Sequence, residues 1–217
     1  MKKIISFRFI LFDLIKLLTV PLGLLWFRPK LIYMDKTKKI KPYGGAILIS
    51  NHITFFDPVF LMVAIWFRRF HFLAMQSFFS SKFLNFLFTY AFMCLPVDRD
   101  NFSMKSFKTI VSHLKQDELI AIFPEGHINR EEENFLQFKS GMILMSMQSQ
   151  KPIIPVYIKK RKTIFSRLVL AIGEPIVVSN ETILNKEQID SYTKQLYETE
   201  LKLKQLCEPI CPSKKSN

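Results

Sequence analysis

Along this chain, short apolar runs alternate with longer segments in which apolar positions recur every three or four residues. The runs at 31–35, 46–49, 71–75, 93–97, 119–123, 153–158 and 167–172 are expected strands. Helices are expected from Asp57 through Arg68 and Arg69, over 80–92, from a cap at Asn101 or Ser103 through Gln116, from Gly141 onward, and over 186–206. Asp57 is placed as the N-cap of the first of these, with Pro58 at the first helical position, and the two arginines suit its C-terminal end. Strands alternating with helices predict an α/β fold: a single domain with a largely parallel or mixed central sheet flanked by helices. The expected boundaries are an N-terminal anchor at 1–30, the folded domain at 31–208 and a disordered basic tail at 209–217.

The N-terminal segment follows a different pattern. Residues 4–27 are apolar, but Arg8, Asp13 and Lys16 interrupt them, and the clean run at 17–27 is about half of the ~20 residues a helical span requires. Wound at about 100° per residue, Ser6, Arg8, Asp13, Lys16 and Thr19 gather on one side, and Leu, Ile and Phe fill the other. Pro21 and Gly23 are expected to kink or break this helix. The pattern reads as an amphipathic helix lying in the plane of a membrane, with Trp26 and Arg28 at headgroup depth. The competing reading is a helix packed on its own domain. No small-residue cleavage site follows, which argues against a secretory signal.

Composition narrows the partners. The 217 residues suffice for one sizeable domain. Lys and Arg number 31 against 18 Asp and Glu, a net charge of +13, and 49% of the chain is hydrophobic, with 22 Phe. A basic chain attracts polyanions, and this much apolar surface favours an anionic bilayer over nucleic acid. The lysines also cluster in KTKKIK, IKKRK and the tail rather than among exposed aromatics, so no nucleic-acid partner is expected. Cys94, Cys207 and Cys211 have no disulfide framework spacing. Pro209 separates the last two and no second Cys/His pair follows, so they are expected to be reduced and unliganded in a frayed tail.

Three polar clusters directly follow apolar strands: NHITFFDP from Asn51, VDRDN from Val97 and FPEGH from Phe123. Ligands of open α/β sheets sit outside the carboxyl ends of the strands, so these clusters are expected to share one crevice. On one straight helix His52 and Asp57 would point about 140° apart. With a turn between them they face each other, one Asp57 oxygen holding helix amides and the other accepting the imidazole N–H. The outward nitrogen is then free to take a proton from an alcohol. Imidazole titrates near ~6.5, and such general-base help is typically worth ~10²–10⁴ in rate. A helix cap beside an ordinary buried histidine is the other reading of the same spacing. Pro124, Glu125 and Gly126 form a tight turn that projects an acid, and Gly126 permits close backbone approach. Arg99 and Lys139 suit an anionic headgroup, and equally suit a solvated surface. Phe55 and Phe56 could wall a ligand path, dip toward a bilayer or pack in the core.

No G-x-S-x-G elbow, cysteine–histidine pair, glycine-rich phosphate loop or H-E-x-x-H metal motif occurs. The inventory fits direct attack of a substrate hydroxyl on an activated acyl carbonyl. NHITFFDP resembles the Asn-His-x-x-x-x-Asp motif of the glycerolipid acyltransferases, the lysophosphatidic acid acyltransferase type. VDRDN is similar to that family's second motif, FPEG to its third and KPIIPVYI to its fourth, in the family's order. The resemblance implies that 31–208 is an acyltransferase domain. It implies transfer of a fatty acyl group from acyl-CoA or acyl carrier protein to a lysophospholipid hydroxyl. The first-choice acceptor is 1-acyl-sn-glycerol-3-phosphate, which gives phosphatidic acid. By the match His52 is the general base and Asp57 its orienting partner. Arg99 binds the acceptor phosphate, and Asn51, Glu125, Gly126 and Lys139 stand among the substrate-binding positions. No metal and no bound cofactor are implied, and the expected place is the cytoplasmic face of a membrane. The family's third motif continues into Thr or Ser and then Arg, whereas here it reads His127, Ile128, Asn129, Arg130. Pro96 and Val97 also stand where the second motif carries bulkier apolar residues. The first departure keeps other lysolipids or an amino-acid-linked lipid in view as acceptors. A non-catalytic protein that docks on anionic membranes is the alternative from another class.

Overall fold

A computed structural model describes residues 7–37, 39–41, 43–98, 101–130, 135–179 and 184–208. Seven strands form one sheet: β1 (Lys30–Tyr33), β2 (Ala46–Ser50), β3 (Phe70–Met75), β4 (Leu95–Val97), β5 (Leu119–Ile122), β6 (Ile153–Ile158) and β7 (Val169–Ile172). Their spatial order is β1-β7-β6-β2-β5-β3-β4. Every neighbouring pair is parallel except β6 and β7, so the sheet is mixed. β2 lies at the centre because all five residues of AILIS are buried, which suits a strand covered on both faces. Its alternation divides the core. Leu48 packs with Phe12, Leu61, Phe70 and Val156 on one face, and Ile47 and Ile49 pack with Ile110, Leu114, Ile120 and Met142 on the other.

The helices are α1 (Phe7–Phe27), α2 (Asp57–Ala64), α3 (Lys82–Phe86), α4 (Met104–Lys115), α5 (Gly141–Ser149) and α6 (Lys186–Cys207). α2 is shorter than its sequence suggests. It ends at Ala64, and Arg68, placed by the pattern at its C-terminal end, is instead buried, donating to the carbonyls of Lys41, Tyr43 and Gly44. The single helix expected over 80–92 resolves into α3 and a π-helical turn at Leu87–Ala91. Cys207 is buried at the end of α6 rather than lying in a tail, while Cys211 and the expected disordered end fall outside the described residues.

α1 corrects one expectation. It runs unbroken through Pro21 and Gly23 to Phe27. An interior proline costs a helix about 3 kcal/mol, and packing along α2 offsets it. A Cβ on Gly23 would meet Val63 Cγ2 at 2.7 Å, and Phe27 lies edge-on to Phe60 with centroids 5.3 Å apart. Two of its charges, moreover, find partners in the domain. Lys16 Nζ donates to the carbonyls of Trp66 (2.5 Å) and Arg68 (2.8 Å), and Arg69 pairs with Asp13. The polar side of α1 is therefore fastened to the domain, and Ile10, Leu14, Leu17, Leu18, Leu22, Leu25 and Trp26 are left exposed. The stretch 9–27 is long and apolar enough to cross a membrane.

Candidate active site

β2, β3, β4 and β5 run the same way, so their carboxyl ends meet on one side of the sheet. His52 follows β2, and Asp57 opens α2. His52 Nδ1 lies 2.8 Å from Asp57 Oδ2. The same oxygen accepts the amides of Ile53 (2.7 Å) and Thr54 (2.8 Å), while Oδ1 accepts the Thr54 hydroxyl (2.9 Å). Asp57 is thus not the cap of its helix. Phe56 holds that position in helical conformation, and the carboxylate looks backward to close the loop that carries His52. The pair faces as expected, but the amides held are those of the loop. With a carboxylate on Nδ1, that nitrogen carries the proton and Nε2 is the basic one. The Asp57 carboxylate is buried, and the His52 side chain is 18% exposed.

Phe123, the residue after β5, stacks on His52 with ring centroids 4.1 Å and planes 18° apart. Sequence reasoning passed over this residue. Its only signal was its place between a buried strand and the Pro-Glu-Gly turn. Gly126 in that turn has φ +73°, open to glycine at little cost, and a Cβ there would meet Lys139 Cε at 3.2 Å. Lys139 N also donates to the Pro124 carbonyl, tying the two segments together.

Beside the imidazole opens a cleft of about 640 Å³. His52, Asp98, Gly126, Gln137, Lys139 and Ser140 supply its polar lining, and Leu73, Met75, Ile122, Phe138, Met142 and Met145 its apolar lining. Clusters from all three strand ends therefore meet here. Asp98, Gln137 and Ser140 were not anticipated, and Arg99 lies outside the described residues. Asn51 and Glu125 stand behind the wall. The Asn51 carboxamide donates to the Ile158 carbonyl (3.0 Å) and accepts the Ile158 amide (2.7 Å). Glu125, also buried, accepts the His52 amide at 3.3 Å, the Asn129 carboxamide at 2.9 Å and the Leu136 amide at 2.8 Å. Both shape the site through the backbone that carries its groups. His127 is exposed. Phe55 and Phe56 are each 61% exposed, which rules out core packing for them.

A family model described as Acyltransferase matches residues 32–159. The chain is 28% identical over 173 residues to a 1-acyl-sn-glycerol-3-phosphate acyltransferase of Bacillus subtilis (strain 168), covering 75% of this chain and 85% of that protein. It is 26% identical over 158 residues to another from Streptococcus pneumoniae (strain ATCC BAA-255 / R6), covering 69% and 57%. The crystal structure of the 1-acyl-sn-glycerophosphate (LPA) acyltransferase, PlsC, from Thermotoga maritima superposes with a TM-score of 0.64 at 16% identity, covering 94% of this chain and 83% of that one. That likeness concerns the fold.

Proposed function

The chain belongs to the acyltransferase family, of the lysophosphatidic acid acyltransferase type, and on that premise we propose that it acylates 1-acyl-sn-glycerol-3-phosphate from a thioester donor, giving phosphatidic acid. The observation that carries the mechanism is the His52–Asp57 hydrogen bond at the mouth of an apolar cleft. His52 Nε2 takes the proton of the acceptor hydroxyl as its oxygen attacks the thioester carbonyl. The tetrahedral intermediate collapses, the C–S bond breaks, and the proton on His52 passes to the leaving thiolate. Asp57 stabilises the imidazolium that exists between these steps. No covalent acyl-enzyme is formed.

The cleft's division suits such substrates. Its methionine- and phenylalanine-lined part accepts an acyl chain, and Lys139 in the polar lining faces an anionic group. Arg99, one residue beyond the cleft residue Asp98, is assigned to the acceptor phosphate from its place in the second family motif. Coenzyme A and acyl carrier protein are both kept as carriers, and a chain of net charge +13 suits either the phosphates of the first or an acidic partner. α1, with its apolar side turned outward, is proposed to hold the enzyme on the cytoplasmic face of a membrane. The test is an acyl-transfer assay on purified protein, crossing both donors with a panel of lysolipids. His52→Ala is expected to abolish product while the protein keeps its melting profile; turnover retained in that variant would sink the mechanism.

A further inference from the structure

We infer that His71, His113 and Glu118 form a structural binding site for one transition-metal dication of the zinc type, at the end of the sheet opposite the cleft. His71 lies at the start of β3, His113 in the last turn of α4, and Glu118 just before β5. β3 and β5 run in register from Phe70 beside Leu119, so His71 and Glu118 lie side by side at this end of the sheet, where α4 brings His113. Two of the chain's four histidines thus converge on one carboxylate.

The proton positions make this cluster unusual. His71 is fully buried, and its Nδ1 lies 3.1 Å from the Met93 carbonyl. A carbonyl only accepts, so Nδ1 carries a proton, and in the neutral ring Nε2 keeps its lone pair. That Nε2 is 2.8 Å from Glu118 Oε2. A lone pair facing a carboxylate oxygen at this distance is repulsive unless a cation stands with them. That cation is either a proton shared with the carboxylate or a metal ion. His113 Nδ1 approaches the same oxygen at 2.5 Å, and the three donor atoms all lie within 4.8 Å of one another.

Further features fit a metal. An imidazole whose other N–H is held by a backbone carbonyl is the usual orientation of a metal-ligating histidine. Two imidazole nitrogens and a carboxylate oxygen make a donor set suited to Zn²⁺, bonded at about 2.1 Å, and a fourth position can take water. The C-terminal end of α4 contributes the negative pole of its dipole. His113 and Glu118 are 23% and 21% exposed, which leaves an entry path and room for the carboxylate to back away slightly around an ion. The metal would clamp the end of α4 to β3 and β5, remote from the chemistry.

The test uses the full chain in detergent, stripped with EDTA and dialysed, then titrated with Zn²⁺ by calorimetry and with Co²⁺ by visible absorption. One equivalent should bind, with the d–d bands of tetrahedral cobalt and a rise in Tm on adding metal. His113→Ala and Glu118→Gln should each weaken binding at least about 10-fold and abolish the rise, whereas His52→Ala should leave both unchanged. Both informative substitutions sit at the rim, so their melting curves and acyl transfer in EDTA report folding directly. No binding by the parent chain, or binding equal in parent and rim variants, would overturn the proposal and leave three groups that share protons only.

Discussion

The His52 imidazole lies nearly flat on Phe123, its plane 18° from that ring, while its Nδ1 is held by Asp57. Edge and face are thus both constrained, which fixes the direction in which Nε2 points. Aromatic contacts of this kind are worth about 0.5–1.5 kcal/mol. Phe123→Leu is therefore expected to lower kcat about 2- to 10-fold with little change in KM, measured as initial rates over acceptor concentration. An unchanged kcat would show that Asp57 alone sets the ring.

Asp57→Asn separates charge from geometry. An asparagine oxygen in place of Oδ2 can still accept the Ile53 and Thr54 amides and the imidazole N–H, and its NH₂ can donate to the Thr54 hydroxyl. The loop should therefore persist. The imidazolium loses its counter-charge, and kcat should fall about 10²–10⁴-fold while Tm changes by only a few degrees. Collapse of the fold instead would assign Asp57 a mainly structural part.

Asn51 is expected to behave in the opposite way. Removing its carboxamide in Asn51→Ala leaves a buried amide and carbonyl of Ile158 without their partner. Each such loss costs about 1–3 kcal/mol. Denaturant unfolding should show the deficit, and residual folded enzyme should retain most of its KM for the acceptor. A raised KM at unchanged stability would place Asn51 against the substrate after all.

Glu200 supplies a pH signature. It is fully buried on α6, neither carboxyl oxygen has a hydrogen-bond partner among the described residues, and burial, with the charge of Glu125, pushes it well above the ordinary carboxylate range. In the unfolded chain this acid ionises near 4.5, whereas in the folded chain it keeps its proton. Its contribution is therefore complete below that pH and declines as pH rises toward the folded value. The Tm of Glu200→Gln minus that of the parent should grow more positive from pH 4 to pH 8. A difference that stays flat with pH would show that Glu200 is paired.

Much of this was legible in the sequence, for local reasons. Strand β2, the turn at His52 and the start of α2 follow from an apolar run meeting Asn-His and Asp-Pro, and the three strand-end clusters needed only the parallel rule to meet. What was misread depends on tertiary contact. Asp13 and Lys16 suit the polar side of a helical projection and Arg68 a helix C-terminus, yet their partners are carbonyls and an arginine 24–56 residues away. Asp57 suits a cap and a first helical residue equally well by type, and only the helical backbone of Phe56 decides between them. Phe123 is marked in the chain only by its place between β5 and the Pro-Glu-Gly turn. Its importance comes from the strand that sets it against the histidine following β2.

The fastening of α1 has a further effect on what the enzyme can reach. Asp13 and Lys16 grip the domain near one end of the helix, and Gly23 and Phe27 lock it near the other. Sliding by one turn, about 5.4 Å, would break both sets of contacts at once. If α1 sits in a bilayer, it acts as a depth gauge: the height of His52 above the acyl chains is set by the protein rather than by the lipid. Acceptors would then be sorted by how far their hydroxyl stands from the hydrocarbon boundary, before any contact with the headgroup is made.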